Sequence, residues 1–151
     1  MAKLNVQIKG LKQFTRALSQ YPNIASGYFA TAIQNATWQL KRATKRRTPV
    51  GESGLLRSTM GHSFSPTVGK VFPTREYAGY VHQGTSGHTI QASSAQALYW
   101  KGAAHPVKSV YHPGTKAQPF LEWGIADANS EIGRTFEKAL ENILNEIAKK
   151  S

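Results

Sequence analysis

Residues 24–47 read "IASGYFATAIQNATWQLKRATKRR", and this stretch decides the fold because it predicts one long helix. At 100° per residue, its apolar side chains fall on a single stripe that is centred on Leu40 and also contains Phe29, Ile33, Ala36 and Ala43. A proline disfavours helical geometry in the residue before it, and Pro49 therefore places the end of the helix at about residue 47. We expect the apolar stripe to pack against the rest of the chain.

The opposite face of this helix is polar and basic, yet it contains Trp38. The other residues of that face are Thr31, Gln34, Asn35, Lys41, Arg42, Lys45 and Arg46. Cations in the last turns meet the negative end of the helix dipole, which accounts for most of the cluster. An aromatic side chain among cations can also anchor a subunit interface or stack on nucleic acid. Because no RNA-module or helix-turn-helix motif accompanies it, we favour packing of Trp38 within the protein or between subunits.

Shorter elements are expected on both sides of this helix. Residues 3–9 alternate apolar and polar side chains as a strand does, and a helix-spaced stretch then runs to Pro22. After the long helix, short strands are predicted around residues 58–64, 67–73, 96–101 and 107–111. Residues 75–84 fit either a short helix or an extended segment.

The C-terminal part of the chain returns to helical spacing from Pro119 onward. Residues 127–131, "DANSE", predict a cap and a restart before a second amphipathic stripe, which contains Ile132, Phe136, Ala139, Leu140, Ile143, Leu144 and Ile147. The whole pattern predicts a single α+β domain over residues 1–151. In it, a long central helix and a long C-terminal helix pack on one face of a mostly antiparallel sheet of short strands.

Charge is distributed unevenly along the 151 residues. The formal net charge is +11, but residues 1–121 have a formal charge of +13 whereas residues 122–151 have a formal charge of −2. Such a split permits nucleic-acid binding, head-to-tail association of like subunits, or an acidic protein partner. No apolar run approaches the length of a membrane span, and the N-terminus lacks a signal-peptide core. These features predict a soluble protein made inside the cell, with no membrane partner.

Catalytic chemistry finds little support in the sequence. The chain has no cysteine and one aspartate, Asp127, and only Glu52 and Glu76 supply carboxylates outside the C-terminal helical region. The five histidines lack the spacing of a helical zinc pair, and neither a P-loop nor a dinucleotide-binding glycine motif is present. We therefore predict no catalytic residues, no metal site and no cofactor. An enzyme that uses Glu52, Glu76 and the histidines is a remote alternative.

Four segments in order along the chain point to a family. They are "LNVQIKGLKQF" at the N-terminus, "TPVGESGLLRSTM" after the long helix, "YAGYVHQGT" at residues 77–85 and "HPGTKAQPFLEWGIADA" at residues 112–128. This series resembles the HK97 gp10-like family of neck and tail-completion proteins in tailed phages and prophages. The matching residues are Pro49, Val50, Gly54, Leu55, Leu56, Arg57, Ser58, Tyr77, Ala78, Val81, Gly84, Thr85, Pro119, Phe120 and Leu121.

Three departures from the family pattern limit what the resemblance carries over. Ser53 replaces the usual threonine, and His82 stands where the family commonly has glutamate. Any role of that carboxylate therefore does not transfer to this chain. Residues 86–111 look like an insertion relative to the shortest members.

The residues of these motifs suggest geometry more than reactivity. Glycines can adopt positive φ or allow close approach, and threonines can bond local backbone at turns. Tyrosine and phenylalanine offer large apolar areas that suit buried or inter-subunit seams. The expected subunit or partner interface comprises Trp38, Tyr77, Tyr80, Gly84, Thr85, Tyr111, Gly114 and Phe120.

The resemblance implies a non-enzymatic structural protein at the head–tail junction of a tailed phage or prophage. It would form a ring of identical subunits, contact other neck and tail proteins, and reside in the virion after assembly in the host cytoplasm. The alternative is a small basic nucleic-acid-binding protein that uses the face around Trp38. In that case Lys41, Arg42, Lys45 and Arg46 would make non-specific DNA contacts.

Overall fold

The computed structural model describes residues 22–93 and 96–150 of the chain. They form two compact units, one from residues up to Ala78 together with Phe120 onward, and a second from Gly79–Pro119. The strand predicted over residues 3–9 and the helix predicted after it lie outside the described residues. The α+β class is confirmed, because long helices coexist with two small antiparallel sheets.

Helix α1 spans Pro22–Arg47 and confirms the long helix predicted from the sequence. Proline suits its first position, where an amide proton has no partner inside the helix. The last turn carries Lys45, Arg46 and Arg47 near the negative end of the helix dipole. At the end of the helix, Thr48 donates both its backbone N–H and its hydroxyl to the carbonyl of Thr44, at 2.8 and 2.7 Å.

The core of the first unit lies between α1 and helix α4, which spans Phe120–Lys150. The predicted stripe of α1 is buried as expected. From α4, the buried apolar residues are Phe120, Leu121, Ala128, Ala139 and Ile143. Gly124 brings the two backbones together, since a Cβ added there would lie 2.6 Å from the Cα of Thr44.

Helix α4 is continuous, so the predicted break at residues 127–131 is wrong. Asp127 does not cap a new helix, because it lies inside α4; its carboxylate accepts two hydrogen bonds from Arg47 of α1, at 2.7 and 2.8 Å. The predicted burial of Leu144 is also wrong, because that side chain is 61% exposed.

Two short elements complete the first unit. Helix α2, Leu55–Ser58, follows Gly54, which has a φ of 60°. Strands β1, Gly61–Phe64, and β2, Gly69–Phe72, form an antiparallel hairpin that packs on α1. These strands confirm the predictions around residues 58–64 and 67–73, with shorter bounds.

The second unit contains most of helix α3, Ala78–Gln83, and a hairpin of strands β3, His88–Gln91, and β4, Ser109–His112. The pairing is antiparallel, with His88 opposite His112 and Gln91 opposite Ser109. The helical alternative for residues 75–84 is therefore the correct one, and β4 confirms the strand predicted near residues 107–111. The strand predicted at residues 96–101 is wrong, since only Leu98 bridges to Val107, whereas β3 was not predicted.

Two glycines of α4 provide a matched test of the helix packing. Gly124→Ala should lower the free energy of unfolding by roughly 1–3 kcal/mol, because the new methyl group would force α4 away from Thr44. A Cβ added at Gly133 would have no atom within 4 Å, and Gly133→Ala should instead raise stability by about 1 kcal/mol. Urea denaturation of both variants measures the difference. Equal effects would show that the helices do not approach closely at Gly124.

Candidate interaction surfaces

The two Gly-Thr segments of the sequence are joined to each other. Thr85 and Thr115 exchange two backbone hydrogen bonds, of 2.9 Å from the Thr85 amide and 3.0 Å from the Thr115 amide. The Thr115 amide also lies 3.0 Å from the Thr85 hydroxyl, which accepts from it. We call Gly84, Thr85, Gly114 and Thr115 the clasp. Sequence analysis predicted two structured loops but not their pairing.

Both glycines of the clasp occupy positions that a side chain would disrupt. Gly84 has a φ of 75° and Gly114 a φ of 92°, which only glycine adopts readily. A Cβ at Gly84 would lie 2.5 Å from the Thr115 carbonyl oxygen, and one at Gly114 would collide with the Thr85 carbonyl oxygen. The motif glycines therefore hold the crossing of two backbones.

A two-stranded arm extends from the clasp. We define the arm as residues 84–118, which contain the β3–β4 ladder and a turn in which the Ala103 amide donates to the Trp100 carbonyl at 2.9 Å. Tyr111 lies across Gly87, where a Cβ would strike its hydroxyl. Tyr99 and Tyr111 are 69% and 67% exposed, and Trp100 is also exposed. The arm thus presents large aromatic side chains to solvent.

A second aromatic surface lies on the first unit. We call Trp38, Lys41, His62 and Phe64 the Trp38 patch. The Trp38 and His62 ring centroids are 4.2 Å apart, and the Lys41 ammonium lies 5.1 Å from the Trp38 ring centroid. Trp38 and Phe64 are both exposed. Lys41 therefore makes a cation–π contact with the exposed indole.

His62 is held in its neutral form within this patch. Its Nδ1 lies 3.0 Å from the Lys41 ammonium, which can only donate, so Nδ1 accepts and the ring proton resides on Nε2. Burial and the nearby charge of Lys41 lower the pKa of His62. Protonation of His62 would abolish this hydrogen bond and place two cations side by side.

Ion pairs between the helices occupy part of the basic face of α1. Arg42 contacts Glu131 at 3.1 Å, and Arg47 forms the bidentate pair with Asp127. The hydrogen bonds from Arg47 lower the pKa of the Asp127 carboxyl and raise the pKa of Arg47. Four residues were predicted to contact nucleic acid. Two of them, Lys41 and Arg42, thus have partners inside the chain. Lys45 and Arg46 are the other two.

The predicted interface residues separate into three groups. Trp38, Tyr77, Tyr80 and Tyr111 are exposed, as an interface requires. Gly84, Thr85 and Gly114 build the clasp and act through backbone geometry. Phe120 is fully buried within the chain itself, so its prediction as an interface residue is corrected: it is a core residue at the start of α4. Sequence analysis did not name Tyr99 and Trp100 as interface residues; it predicted only a strand around residues 96–101.

A polar groove of about 530 Å³ borders the Trp38 patch between α1 and α4. Tyr28, Trp38, Arg42 and Lys138 line it together with several amide side chains. The Gln39 amide donates to the Thr135 hydroxyl at 2.8 Å beside it.

Candidate reactive groups are dispersed. Within residues 22–93 and 96–150, no group of three or more histidine, cysteine, aspartate or glutamate side chains is placed to hold a metal ion. Glu52 and Glu76 are exposed in turns. In the same part of the chain, no helix has both the length and the apolar character needed to cross a bilayer.

Comparison of the chain with protein-family models, curated proteins and solved structures gave no significant match.

The clasp is testable through one glycine. Gly84→Ala should loosen it, because the left-handed conformation costs alanine about 1–2 kcal/mol and the methyl group meets the Thr115 carbonyl. Gly79 in α3 has open space around it, and Gly79→Ala is the matched control. Hydrogen exchange at the Thr85 and Thr115 amides should accelerate in Gly84→Ala alone. Unchanged protection in that variant would contradict the role given to the clasp.

The neutral His62 gives the stability a defined pH dependence. A histidine whose pKa is lower in the folded chain binds its proton more tightly when unfolded, so stability should fall as the pH drops below about 6.5. His62→Gln retains an acceptor for Lys41 but does not titrate. Thermal unfolding between pH 7.5 and pH 5 should show a steeper loss in the wild type than in His62→Gln. Parallel curves would mean that the His62 pKa is not lowered.

Proposed function

We propose that this protein is a non-enzymatic structural component of the head–tail junction of a tailed phage or prophage, where it forms a ring of identical subunits. The support is the ordered series of four sequence segments that resembles the HK97 gp10-like family. In such a particle it would contact neck and tail proteins and would reside in the virion after assembly in the host cytoplasm.

The observation that carries this proposal is that the residues of the family motifs have structural roles in the fold. Gly54 has positive φ before the short helix α2, whose Leu56 is buried. Gly84 and Thr85 form half of the clasp, and Phe120 and Leu121 are buried at the start of α4. Each motif fixes a bend or a contact, and a subunit that must fit its neighbours in a particle requires such fixed geometry.

The carboxylates of the chain also favour a structural role. A general acid or base needs a pKa near the working pH, whereas Arg47 holds the pKa of Asp127 below its usual range. Glu52 and Glu76 are solvent-exposed side chains in turns, and neither lies in an enclosed site. These three carboxylates therefore offer little around which a reaction could be built.

Ring assembly is supported by the asymmetric surface of the subunit. If the basic part of one subunit meets the acidic part of its neighbour, the two surfaces in contact are different. Such a contact is called heterologous. Repeated with a closing rotation, such a contact builds a ring. The exposed aromatic residues of the arm and of the Trp38 patch supply apolar area for such contacts.

The nucleic-acid alternative is weakened by the contacts that the basic face of α1 already makes. Lys41 is bonded to His62, and Arg42 to Glu131, so two of the four proposed cations already have partners that would compete with phosphates. Lys45 and Arg46 provide a smaller electrostatic contribution. The assembly proposal is therefore the better supported of the two.

Solution mass separates the two functions. Light scattering at about 50 mM and 500 mM salt, with and without duplex DNA, should show one discrete multimer that persists at high salt, because an apolar seam is not screened whereas phosphate binding weakens steeply. Lys45→Gln/Arg46→Gln should leave that multimer intact. A monomer that associates with DNA only at low salt, and loses this in Lys45→Gln/Arg46→Gln, would favour the nucleic-acid function instead.

The position in the particle is tested by genetics. Disruption of the reading frame should yield separate heads and tails in electron micrographs, because the joining ring would be missing. A plasmid copy should restore joined particles, and a Glu52→Gln/Glu76→Gln copy should restore them equally well. Failure of that double variant alone would point to an enzymatic role for these carboxylates.

A further inference from the structure

The arm has an unusual composition for an exposed segment. Residues 84–118 contain three lysines, Lys101, Lys108 and Lys116, and no acidic residue. Its strands form a sheet of two members, so each has an outer edge without a neighbouring strand in the part of the chain that is described. All four residues of β3 are exposed, as are Tyr99, Trp100 and Tyr111. The arm is therefore both cationic and rich in exposed aromatic area.

A ribbon of this kind is poorly suited to stand alone in water. Two-stranded hairpins are marginally stable without a surface to pack on. Contiguous exposed aromatic residues mark interaction sites on soluble proteins. The clasp fixes the base of the arm through two backbone hydrogen bonds, so the aromatic side chains are presented on a defined support.

A surface of complementary character lies on the outer side of α4. Glu137, Glu141 and Leu144 follow one another at i, i+4 and i+7, so they share one stripe of the helix. All three are exposed, and Leu144 is an apolar side chain on an otherwise polar stripe. The ion pairs of Arg42 and Arg47 use Glu131 and Asp127, not Glu137 or Glu141. We call Glu137, Glu141 and Leu144 the acidic stripe.

We propose that the arm of one subunit docks on the acidic stripe of a second copy of this chain. Lys101 and Lys108 face the carboxylates of Glu137 and Glu141, and the arm aromatics cover Leu144. This inference rests on the proposed ring and specifies which surfaces meet in it. The two surfaces differ, so each subunit gives its arm to one neighbour and receives an arm from another, and the contact closes into a ring.

The chemistry of the arm favours a protein partner over nucleic acid. Three lysines spread along the arm neutralise few phosphates, whereas strong DNA binders make about 6–10 phosphate contacts. Tyrosine and tryptophan dominate the energetics of protein interfaces, and the arm exposes both. The acidic stripe matches both properties of the arm: its carboxylates can pair with the lysines, and its leucine can pack against the aromatic side chains.

The cysteine-free sequence allows a direct test by disulfide trapping. Ser109 is exposed on β4, the strand that also carries Tyr111, and Asn145 is exposed one turn beyond Glu141. A mixture of Ser109→Cys and Asn145→Cys chains should form a mixed disulfide dimer under mild oxidation. Gln34, exposed on α1, provides the control, and Ser109→Cys with Gln34→Cys should give at least about fivefold less mixed dimer, because that face receives no arm. Equal yields from the two mixtures would overturn the docking proposal.

Charge reversal tests the same contact by its energetics. Lys101→Glu/Lys108→Glu and Glu137→Lys/Glu141→Lys should each weaken self-association by about tenfold or more, because like charges then face each other. A chain with all four substitutions should regain association within about threefold of the wild type, since the charges are again opposite. Circular dichroism of each variant checks that exposed substitutions leave the fold intact.

The outcomes separate this inference from the proposed function. A ring that survives both reversals would overturn the arm contact while the ring stands. A trapped mixed dimer without a discrete ring in the wild type would support the arm contact and contradict the ring. Loss of DNA binding in Lys101→Glu/Lys108→Glu without a change in association would overturn the protein partner and identify the arm as a nucleic-acid surface.

Discussion

The close approach of α1 and α4 is the constraint on which the first unit depends. Gly124 lies against the backbone of Thr44, and this contact sets the separation of the helices. Phe29 of α1 and Ile143 of α4 then meet in one apolar cluster. The same spacing allows Arg42 and Arg47 to reach carboxylates on α4. Burial supplies most of the stabilisation, because exposed ion pairs contribute little.

The clasp plays the corresponding role in the second unit, mainly through backbone geometry. Two glycines with positive φ let the chain cross itself, and two threonines close the crossing with hydrogen bonds. No large side chain is required at the crossing, which leaves the aromatic residues of the arm free to face outward. A core residue must pack inward, whereas Tyr99 and Tyr111 do not. Backbone hydrogen bonds thus support the arm, and its exposed side chains determine what it can bind.

The acidic residues of α4 fall into two groups, those paired with arginines of α1 and those that are exposed. The acids Asp127 and Glu131 of α4 accept the arginines of α1, and the carboxylates of Glu137 and Glu141 farther along α4 remain on the outside. The arm has only cations, so it cannot neutralise itself. The net charge of +11 is consequently less informative than its distribution, because residues 1–121 carry +13 and residues 122–151 carry −2. In the ring that we propose, the arm and the acidic stripe are the two unlike surfaces that neighbouring subunits would bring together.

The sequence alone determined the elements whose signal is local. The apolar period of residues 24–47 and Pro49 predicted α1, and Pro119 predicted the start of α4, because helices arise from contacts three and four residues apart. Tertiary structure decided the rest: Arg47 engages Asp127 from 80 positions away, in a stretch of α4 where the polar residues suggested a break. It also paired Gly84-Thr85 with Gly114-Thr115 and left Leu144 outside the core. Neither result follows from periodicity, because each depends on which distant backbone or helix face comes within reach.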